Sequence, residues 1–173
     1  MPDELTEQLP DLLPRLRRFA IGMSGSRDAG DELLQAACER ALSRQHQWTP
    51  GTRLDSWMYR IIQTLWIDEL RRIGRQGETM EAEILEYIPA GDGRHDAETL
   101  LTLDEALGAL GQLPEDQRVI LLLVSVEGYS YKEAAAALEL PIGTVMSRLA
   151  RARLRLTSLI DEGASRPAQL RGS

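Results

Sequence analysis

The sequence predicts an all-α fold in which two small helical domains are joined by a flexible acidic linker. Apolar residues recur at helical spacing in two blocks, and the stretch between the blocks is rich in acids and glycine. No alternating strand pattern of useful length is present. A chain of 173 residues with 43% hydrophobic residues is long enough for two small cores and too apolar for a disordered chain.

The composition narrows the class of protein. No apolar stretch approaches the roughly 20 residues of a membrane span, and the acidic N-terminus is unlike a secretory or transit signal. Because Cys38 is the only cysteine and there are only two histidines, we expect no internal disulfide, no metal site and no cofactor. Adjacent acids such as Asp68 and Glu69 point to different sides of a helix and form no catalytic constellation. We expect a soluble cytoplasmic protein that is not an enzyme.

The net charge of −7 is unevenly placed along the chain. Residues 1–76 carry eleven bases and eleven acids, whereas residues 77–105 carry one base and nine acids. The stretch from Pro141 to Ile160 holds four arginines and no acid. A chain that is acidic overall can therefore still bind nucleic acid through a local basic face.

The first block, assigned to residues 1–75, predicts three helices. One helix runs from about Leu5 to Gly22, and a second follows with Leu33, Ala37 and Ala41 at helical spacing. A loop with a Pro-Gly turn separates the second helix from a third helix over residues 54–72. The apolar stripe predicted for the third helix consists of Leu54, Trp57, Met58, Ile61, Ile62, Leu65 and Leu70.

The second block, assigned to residues 98–160, ends in a helix-turn-helix pattern. It follows the acidic linker, assigned to residues 76–97, and precedes a tail over residues 161–173 that we expect to be frayed. The segment Ser130–Glu133 forms an S-x-x-E capping box that begins a short alanine-rich helix. A three-residue break that ends at Pro141 precedes a longer helix, which is the spacing of a helix-turn-helix motif.

The last helix has an inward and an outward arc. The inward positions are predicted to be Ile142, Val145, Leu149, Ala152 and Leu156. The polar residues that fall mainly on the outward arc are Thr144, Ser147, Arg148, Arg151 and Arg155. Hydroxyls near the helix start and arginines beyond it suit base edges and phosphates. A solvated basic face is the alternative, but the capping box, the break and the acid-free arc together favour DNA binding.

The loop tryptophan of the first block has two interpretations. Trp48 beside the Pro-Gly turn could fix the loop to the core, or an aromatic loop beside a polar helix could hold an unstacked base. The pattern alone favours the core role. Trp57 and Trp66 are expected to be core and interface residues.

Three stretches resemble a known family. These are RDAGDELLQAACERAL from Arg27, RLDSWMYRIIQTLWIDELRR from Arg53, and LPEDQRVILLLVSVEGYSYKEAAAALELPIGTVMSRLARARLRL from Leu113. Together, and in this order, they resemble an extracytoplasmic-function sigma factor of bacterial RNA polymerase. The resemblance implies that the two domains are sigma region 2 and sigma region 4.

The resemblance also implies roles for individual residues. The surface implied to bind the core polymerase comprises Asp31, Leu34, Gln35 and Glu39. The loop from Gln47 to Arg53, which contains Trp48, is similar to the loop that captures a flipped base of the −10 element. The remaining −10 residues implied on the third helix are Gln63, Thr64, Asp68, Arg71 and Arg72, although most relatives have asparagine where Thr64 stands. The −35 element is assigned to Thr144, Ser147, Arg148, Arg151 and Arg155.

The implied partners are core RNA polymerase, promoter DNA and an anti-sigma factor, with no insertion into a membrane. Two other functions remain open from the sequence. One is a conventional helix-turn-helix regulator that binds duplex DNA alone, as a dimer on two half-sites. The other is a sigma mimic that sequesters an anti-sigma factor, although such mimics usually carry a receiver domain and this chain has no βαβ pattern.

Overall fold

The computed structural model describes residues 3–76 and 102–164, and every regular element in these ranges is helical. The first domain contains α1 (Glu4–Ser24), α2 (Arg27–Ser43) and α3 (Leu54–Gln76). The second contains α4 (Leu103–Gly111), α5 (Glu115–Leu121), α6 (Tyr131–Leu138) and α7 (Ile142–Ala164), and α5 continues as a π-helical turn over Leu122–Val126. The predicted all-α fold is confirmed.

The first domain is held by a close contact between α1 and α2. Gly25 ends α1 with a φ of 81°, and the Ser26 side chain then accepts a hydrogen bond from the Ala29 N–H to start α2. A Cβ at Gly30 of α2 would lie 2.7 Å from the Cα of Ile21, so the two backbones touch there. The helices can cross this closely only because Gly30 has no side chain.

The second domain begins and turns at well-defined caps. Thr102 and Glu105 form a capping box at the start of α4, in addition to the predicted one at Ser130. Gly128, with a φ of 76°, ends the α5 segment, and the Ser130 side chain accepts the predicted hydrogen bond from the Glu133 N–H. The predicted break between α6 and α7 is confirmed, and Glu139 within it has a φ of 54°.

The two domains pack directly against each other. A Cβ on Gly22 of α1 would come within 2.6 Å of the Leu122 side chain, so these domains approach as closely as a glycine allows. The Tyr59 ring of α3 packs at a tilt against the Phe19 ring, with centroids 4.5 Å apart, and meets the ring of Tyr129 edge-on at 5.8 Å. One hydrophobic core therefore runs through both domains.

Buried Arg118 connects the two domains through hydrogen bonds. Its guanidinium donates to the Gly111 carbonyl at 2.9 Å and the Leu113 carbonyl at 2.8 Å, and also to the carbonyl of Met23 in the first domain. Burial lowers the pKa of Arg118, although the nearby charge of Glu115 opposes this. The end of α1 is thus anchored to the second domain by a side chain that the sequence pattern did not identify.

Several local predictions need correction. Leu70 and Ile142 were assigned to inward stripes, but they are 39% and 49% exposed. The third helix continues to Gln76, and α7 continues to Ala164 into the segment predicted to be frayed. The rest of the predicted linker and tail lies outside the described residues.

Candidate nucleic-acid and polymerase interfaces

The predicted −35 residues lie on α7 but differ in exposure. Ser147 and Arg151 are exposed, whereas Thr144 and Arg148 are half-buried at the edge of the arc, and Arg148 Nε lies 3.6 Å from the Asp116 carboxylate. Arg155 is half-buried, and its Nε is shielded from solvent with no hydrogen-bond partner among the described residues. Ser147 and Arg151 are therefore the residues best placed to contact a duplex.

Trp48 is only 6% exposed and belongs to the hydrophobic core. The core role favoured by the pattern is confirmed, and the assignment of Trp48 as a base-contacting residue needs correction, because a buried ring cannot stack on DNA. The turn beside it is formed by Gly51, with a φ of 84°, and by the Thr52 hydroxyl, which donates to the Thr49 carbonyl at 2.6 Å. The other residues of the loop, Gln47 and residues 49–53, are exposed.

A pocket of about 350 Å³ opens beside this loop, between the end of α2 and the start of α3. Its lining residues are Arg40, Arg44, Gln47, Trp57, Arg60, Ile61 and Thr64. An aromatic ring surrounded by guanidinium groups is suited to single-stranded nucleic acid, since the ring can stack on a base and the cations can hold phosphates. Gln47 and Thr64 were predicted, whereas the three arginines were missed, although Arg60 precedes Thr64 by one helical turn.

The last turns of α3 carry the remaining residues that the resemblance assigns to the −10 element. Asp68, Arg71 and Arg72 are all exposed. The Arg72 guanidinium lies 2.6 Å from the Glu69 carboxylate, and this hydrogen bond lowers the pKa of Glu69 and raises that of Arg72. The pair lies one turn apart on the helix and holds Arg72 along the axis of α3.

Three side chains on or directly before α3 are hydrogen-bonded to acids of the second domain. Arg53 donates to Glu133 at 2.8 Å, Arg60 binds both carboxylate oxygens of Glu139 at 3.0 and 3.2 Å, and Gln63 donates to Glu115 at 2.8 Å. We call these three pairs the interdomain clasp. It holds the two domains against each other at residues that the resemblance assigns to the −10 element or that lie beside them.

Electrostatics around the clasp follow from burial and pairing. Burial raises the pKa of Glu115, and its hydrogen bond from Gln63 acts in the opposite direction. The Arg53 hydrogen bond lowers the pKa of Glu133. Arg53 also lies over the Tyr129 ring at 4.3 Å, and burial raises the pKa of Tyr129 to about 12.

A buried carboxylate next to the clasp joins the domains. The Glu127 side chain has no exposed surface, and it accepts hydrogen bonds from Tyr59 at 2.9 Å, Arg18 at 3.1 Å and Arg15 at 3.4 Å. All three donors come from the first domain. Burial is the main cause that raises the pKa of Tyr59, and its hydrogen bond to Glu127 raises it further. Glu127 was missed because its partners lie more than 60 residues away in sequence.

The predicted polymerase-binding residues lie on one side of α2. Asp31 and Gln35 are exposed, Glu39 accepts a hydrogen bond from Gln35 at 3.3 Å, and Leu34 is half-buried. Arg17 of α1 binds Asp31 at 2.7 Å, and this hydrogen bond lowers the pKa of Asp31. The α2 surface is thus acidic with a neighbouring basic edge on α1.

Beside this surface lies an apolar groove of about 820 Å³ lined by both domains. The first domain contributes Leu13, Pro14, Ile21, Gly22 and Leu34 together with Arg17, Arg18 and Arg27. The second domain contributes Leu103, Leu107, Leu110, Leu122 and Val126. An apolar floor with an arginine rim suits the apolar face of an amphipathic helix with flanking acids.

Residues 3–76 and 102–164 contain no group of histidine, cysteine and acidic side chains arranged to hold a metal ion. None of the helices in these ranges is long and apolar enough to cross a membrane.

Comparison with known proteins matches both domains. The family model described as "Sigma-70, region 4" matches residues 103–156, and the model described as "Sigma2 domain of PhyR" matches residues 9–63. The fold and these matches define a two-domain transcription factor with a helix-turn-helix.

A relative that aligns with most of this chain identifies the family. The chain is 34% identical over 160 residues to "ECF RNA polymerase sigma factor EcfG" of Rhodopseudomonas palustris (strain TIE-1), which covers 92% of this chain and 87% of the relative. The chain therefore belongs to the extracytoplasmic-function sigma factors.

Two solved structures share the fold. The sigma factor RpoE of Bartonella quintana, determined in complex with the anti-sigma factor NepR, superimposes with a TM-score of 0.71 and 31% identity over 91% of this chain and 97% of that one. The anti-anti-sigma factor PhyR of Bartonella quintana, in complex with NepR, gives a TM-score of 0.61 at 20% identity, and the matched region spans 51% of that chain.

Proposed function

We propose that this protein binds core RNA polymerase in the cytoplasm through the α2 surface and directs it to promoters. In this function α7 recognises duplex −35 DNA through Ser147 and Arg151. The pocket between the end of α2 and the start of α3, together with α3 itself, holds the separated strand of the −10 element. Binding energy for the unpaired strand offsets the cost of opening the duplex, which is a few kcal/mol per flipped base. The protein itself breaks and forms no covalent bond.

The observation that carries this proposal is the presence of two differently shaped surfaces that carry arginine side chains, one on each domain. The pocket of the first domain is concave, basic and aromatic, which suits a single strand, whereas α7 follows a helix-turn-helix, which suits a duplex. A conventional regulator needs only the second surface. Membership in the sigma factor family supports the same conclusion.

Transcription with purified components tests the proposal. We would add the protein to sigma-free core polymerase and genomic fragments and map the RNA 5′ ends. The expected result is a set of starts that share −35 and −10 sequences. In a Ser147→Ala/Arg151→Ala variant, initiation from those starts should fall about tenfold or more, since each polar base or phosphate contact is worth roughly 1–3 kcal/mol.

The matched control is Arg153→Ala, which removes an exposed arginine of the same helix from another side. It should change initiation less than about twofold, because a distant arginine contributes only to the general attraction of phosphates. Equal losses in both variants would contradict recognition through the Ser147 side of α7. If neither the parent protein nor any variant gives RNA starts with core polymerase, the proposed function is contradicted.

We also propose that an anti-sigma factor binds the apolar groove between the domains. The Bartonella quintana relative was solved in complex with the anti-sigma factor NepR. Four groove leucines and Val126 come from the second domain and Leu13, Leu34 and Ile21 from the first, so one helix in the groove would contact both domains. The rim arginines select a partner helix with acids beside its apolar face.

A second candidate function, the sigma mimic, is favoured by one observation. The first domain matches a model built on the sigma2 domain of PhyR, and PhyR of Bartonella quintana is described as an anti-anti-sigma factor. A mimic would bind the anti-sigma factor and leave core polymerase silent. The transcription assay separates the two functions, because only a sigma factor produces defined RNA starts.

A further inference from the structure

The exposed side of α7 is formed by two neighbouring rows of residues. Residues four apart on a helix lie one above the other and form such a row. The polar row consists of Gly143, Ser147 and Arg151. The apolar row consists of Ile142, Met146, Ala150 and Leu154. Every member of both rows is exposed, yet only Ser147 and Arg151 have been assigned to DNA, so the apolar row is left without a role.

Met146 is the large side chain of the apolar row that lies directly beside Ser147. It is 50% exposed, in the second turn of α7. Its row neighbour Ala150 has only a methyl group, and a Cβ on Gly143, one turn earlier, would meet nothing within 4 Å. An unbranched thioether side chain with this much space can reach outward to whatever α7 binds.

The charge around the apolar row favours DNA as its occupant. The stretch from Pro141 to Ile160 contains four arginines and no acid. A stable protein partner would need about 800 Å² on each side, and one row with an alanine in its middle is too narrow to supply that area. The apolar row also adjoins Ser147 and Arg151, so one duplex on α7 would contact both rows.

We propose that Met146 is a specificity-determining residue that contacts the 5-methyl group of a thymine in the −35 element. This inference rests on the proposed function and adds one residue to the same DNA-reading surface. The first turns of a recognition helix are the part that meets base edges in the major groove, and Met146 lies in those turns.

The chemistry of the side chain selects the methyl group. A thioether has no charge and no hydrogen to donate, so Met146 cannot hold a phosphate or read guanine as an arginine does. Thymine is the base that presents an apolar group in the major groove. A polar base edge placed against Met146 would lose its water and gain no partner. The apolar row therefore selects thymine, while Ser147 and Arg151 supply hydrogen bonds.

Removal of a single methyl group tests the proposal. The full-length protein selects duplexes from a random library, once alone at low salt and once with core polymerase. Each thymine of the enriched sequence is then replaced in turn by deoxyuridine, which lacks only the 5-methyl group. At one thymine, the parent protein should lose affinity by about three- to fivefold, the effect of one methyl group that is no longer buried.

Three variants assign that loss to Met146. Met146→Gln keeps the side-chain length but introduces an amide, so deoxyuridine at the same position should change its affinity by less than about twofold. Met146→Leu remains apolar and should retain the parent's loss. The control Leu154→Gln lies in the same row two turns further along, away from the base edges, and should also retain it. Circular dichroism should report the parent helix content in all three, since both positions are exposed.

The outcomes are distinct from those of the transcription assay. If deoxyuridine weakens Met146→Gln as much as it weakens the parent, another residue contacts the methyl group and the proposal is overturned. It is also overturned if no thymine is sensitive in the parent, or if neither selection enriches a duplex. RNA starts without a methyl effect leave the sigma factor function in place and remove Met146 from the −35 surface. A methyl effect that depends on Met146, without RNA starts, supports Met146 as a DNA-reading residue while the sigma factor function fails.

Discussion

Asp55, at the start of α3, shows how one buried acid is held charged. It is 8% exposed, and it accepts hydrogen bonds from Arg53 at 2.9 Å, Arg15 at 3.3 Å and the Ser56 N–H at 2.8 Å. Burial alone would raise the pKa of Asp55, but the hydrogen bonds and the charge of Arg53 bring it below the ordinary value of 3.8. The folded protein therefore binds a proton at Asp55 less readily than the unfolded chain does.

The sign of the resulting pH dependence follows from this lowered pKa. An acid with a depressed pKa in the folded state stabilises the fold above its unfolded pKa, and that stability is lost as the pH falls through the folded pKa. We predict that Asp55→Asn is less stable than the parent protein above about pH 5, and that the difference shrinks below the ordinary value of 3.8. Urea unfolding at several pH values measures it.

The control for Asp55→Asn is Asp28→Asn, at an exposed position near the start of α2. It should lower the free energy of unfolding by less than about 1 kcal/mol, the size of an exposed helix-dipole effect. A difference between Asp55→Asn and the parent that grows toward acid would contradict the assigned direction of the pKa shift.

At the level of elements, the helix crossing between α1 and α2 depends on one missing side chain. Gly30→Ala would place a Cβ 2.6 to 2.8 Å from atoms of Ile21, two of which belong to the backbone. Because backbone cannot move aside as a flexible side chain can, we predict a loss of about 1–3 kcal/mol in the free energy of unfolding. Thermal or urea unfolding measures this loss.

Gly108 in α4 provides the matched control, since a Cβ there meets nothing within 4 Å. Gly108→Ala should raise the free energy of unfolding by about 0.5–1 kcal/mol, because alanine loses less conformational entropy than glycine in a helix. If both variants shift stability in the same direction, close packing at Gly30 does not determine the α1–α2 crossing.

At the scale of the whole molecule, the groove is a property of both domains together. Leu103 is 55% exposed and lies on its second-domain wall, so Leu103→Asp changes the groove without removing a core residue. With NepR of Bartonella quintana as the probe, we predict that the parent protein binds and that Leu103→Asp loses about tenfold or more in affinity, since a charge in an apolar contact is costly. Titration calorimetry measures both affinities.

A second exposed leucine provides the control that distinguishes an effect of the groove from a general effect of an added surface charge. Leu154 on α7 is 46% exposed and does not line the groove. Leu154→Asp should leave NepR binding within about twofold of the parent, because it adds the same charge outside the contact. Equal losses for Leu103→Asp and Leu154→Asp would place the anti-sigma contact elsewhere.

Local patterns predicted the helices well and predicted exposure less well. The caps and breaks at Gly25, Ser130 and Pro141 are local signals, so the end of α1 and the starts of α6 and α7 follow from a few neighbouring residues. Burial depends on what packs from elsewhere. Ile142 and Leu70 fit inward stripes yet are exposed, because none of the helices within residues 3–76 and 102–164 covers them.

The sequence by itself determined the all-α fold, the helix-turn-helix and the acid-free face of α7, because periodicity, capping and composition act over a few residues. Its motifs were also sufficient to indicate the family. Only the tertiary structure decided that Trp48 is buried, that Glu127 and Arg118 join the domains, and that Arg60 binds Glu139. These contacts link residues 68 to 112 positions apart, and a pair at such a distance leaves no periodic trace in the chain.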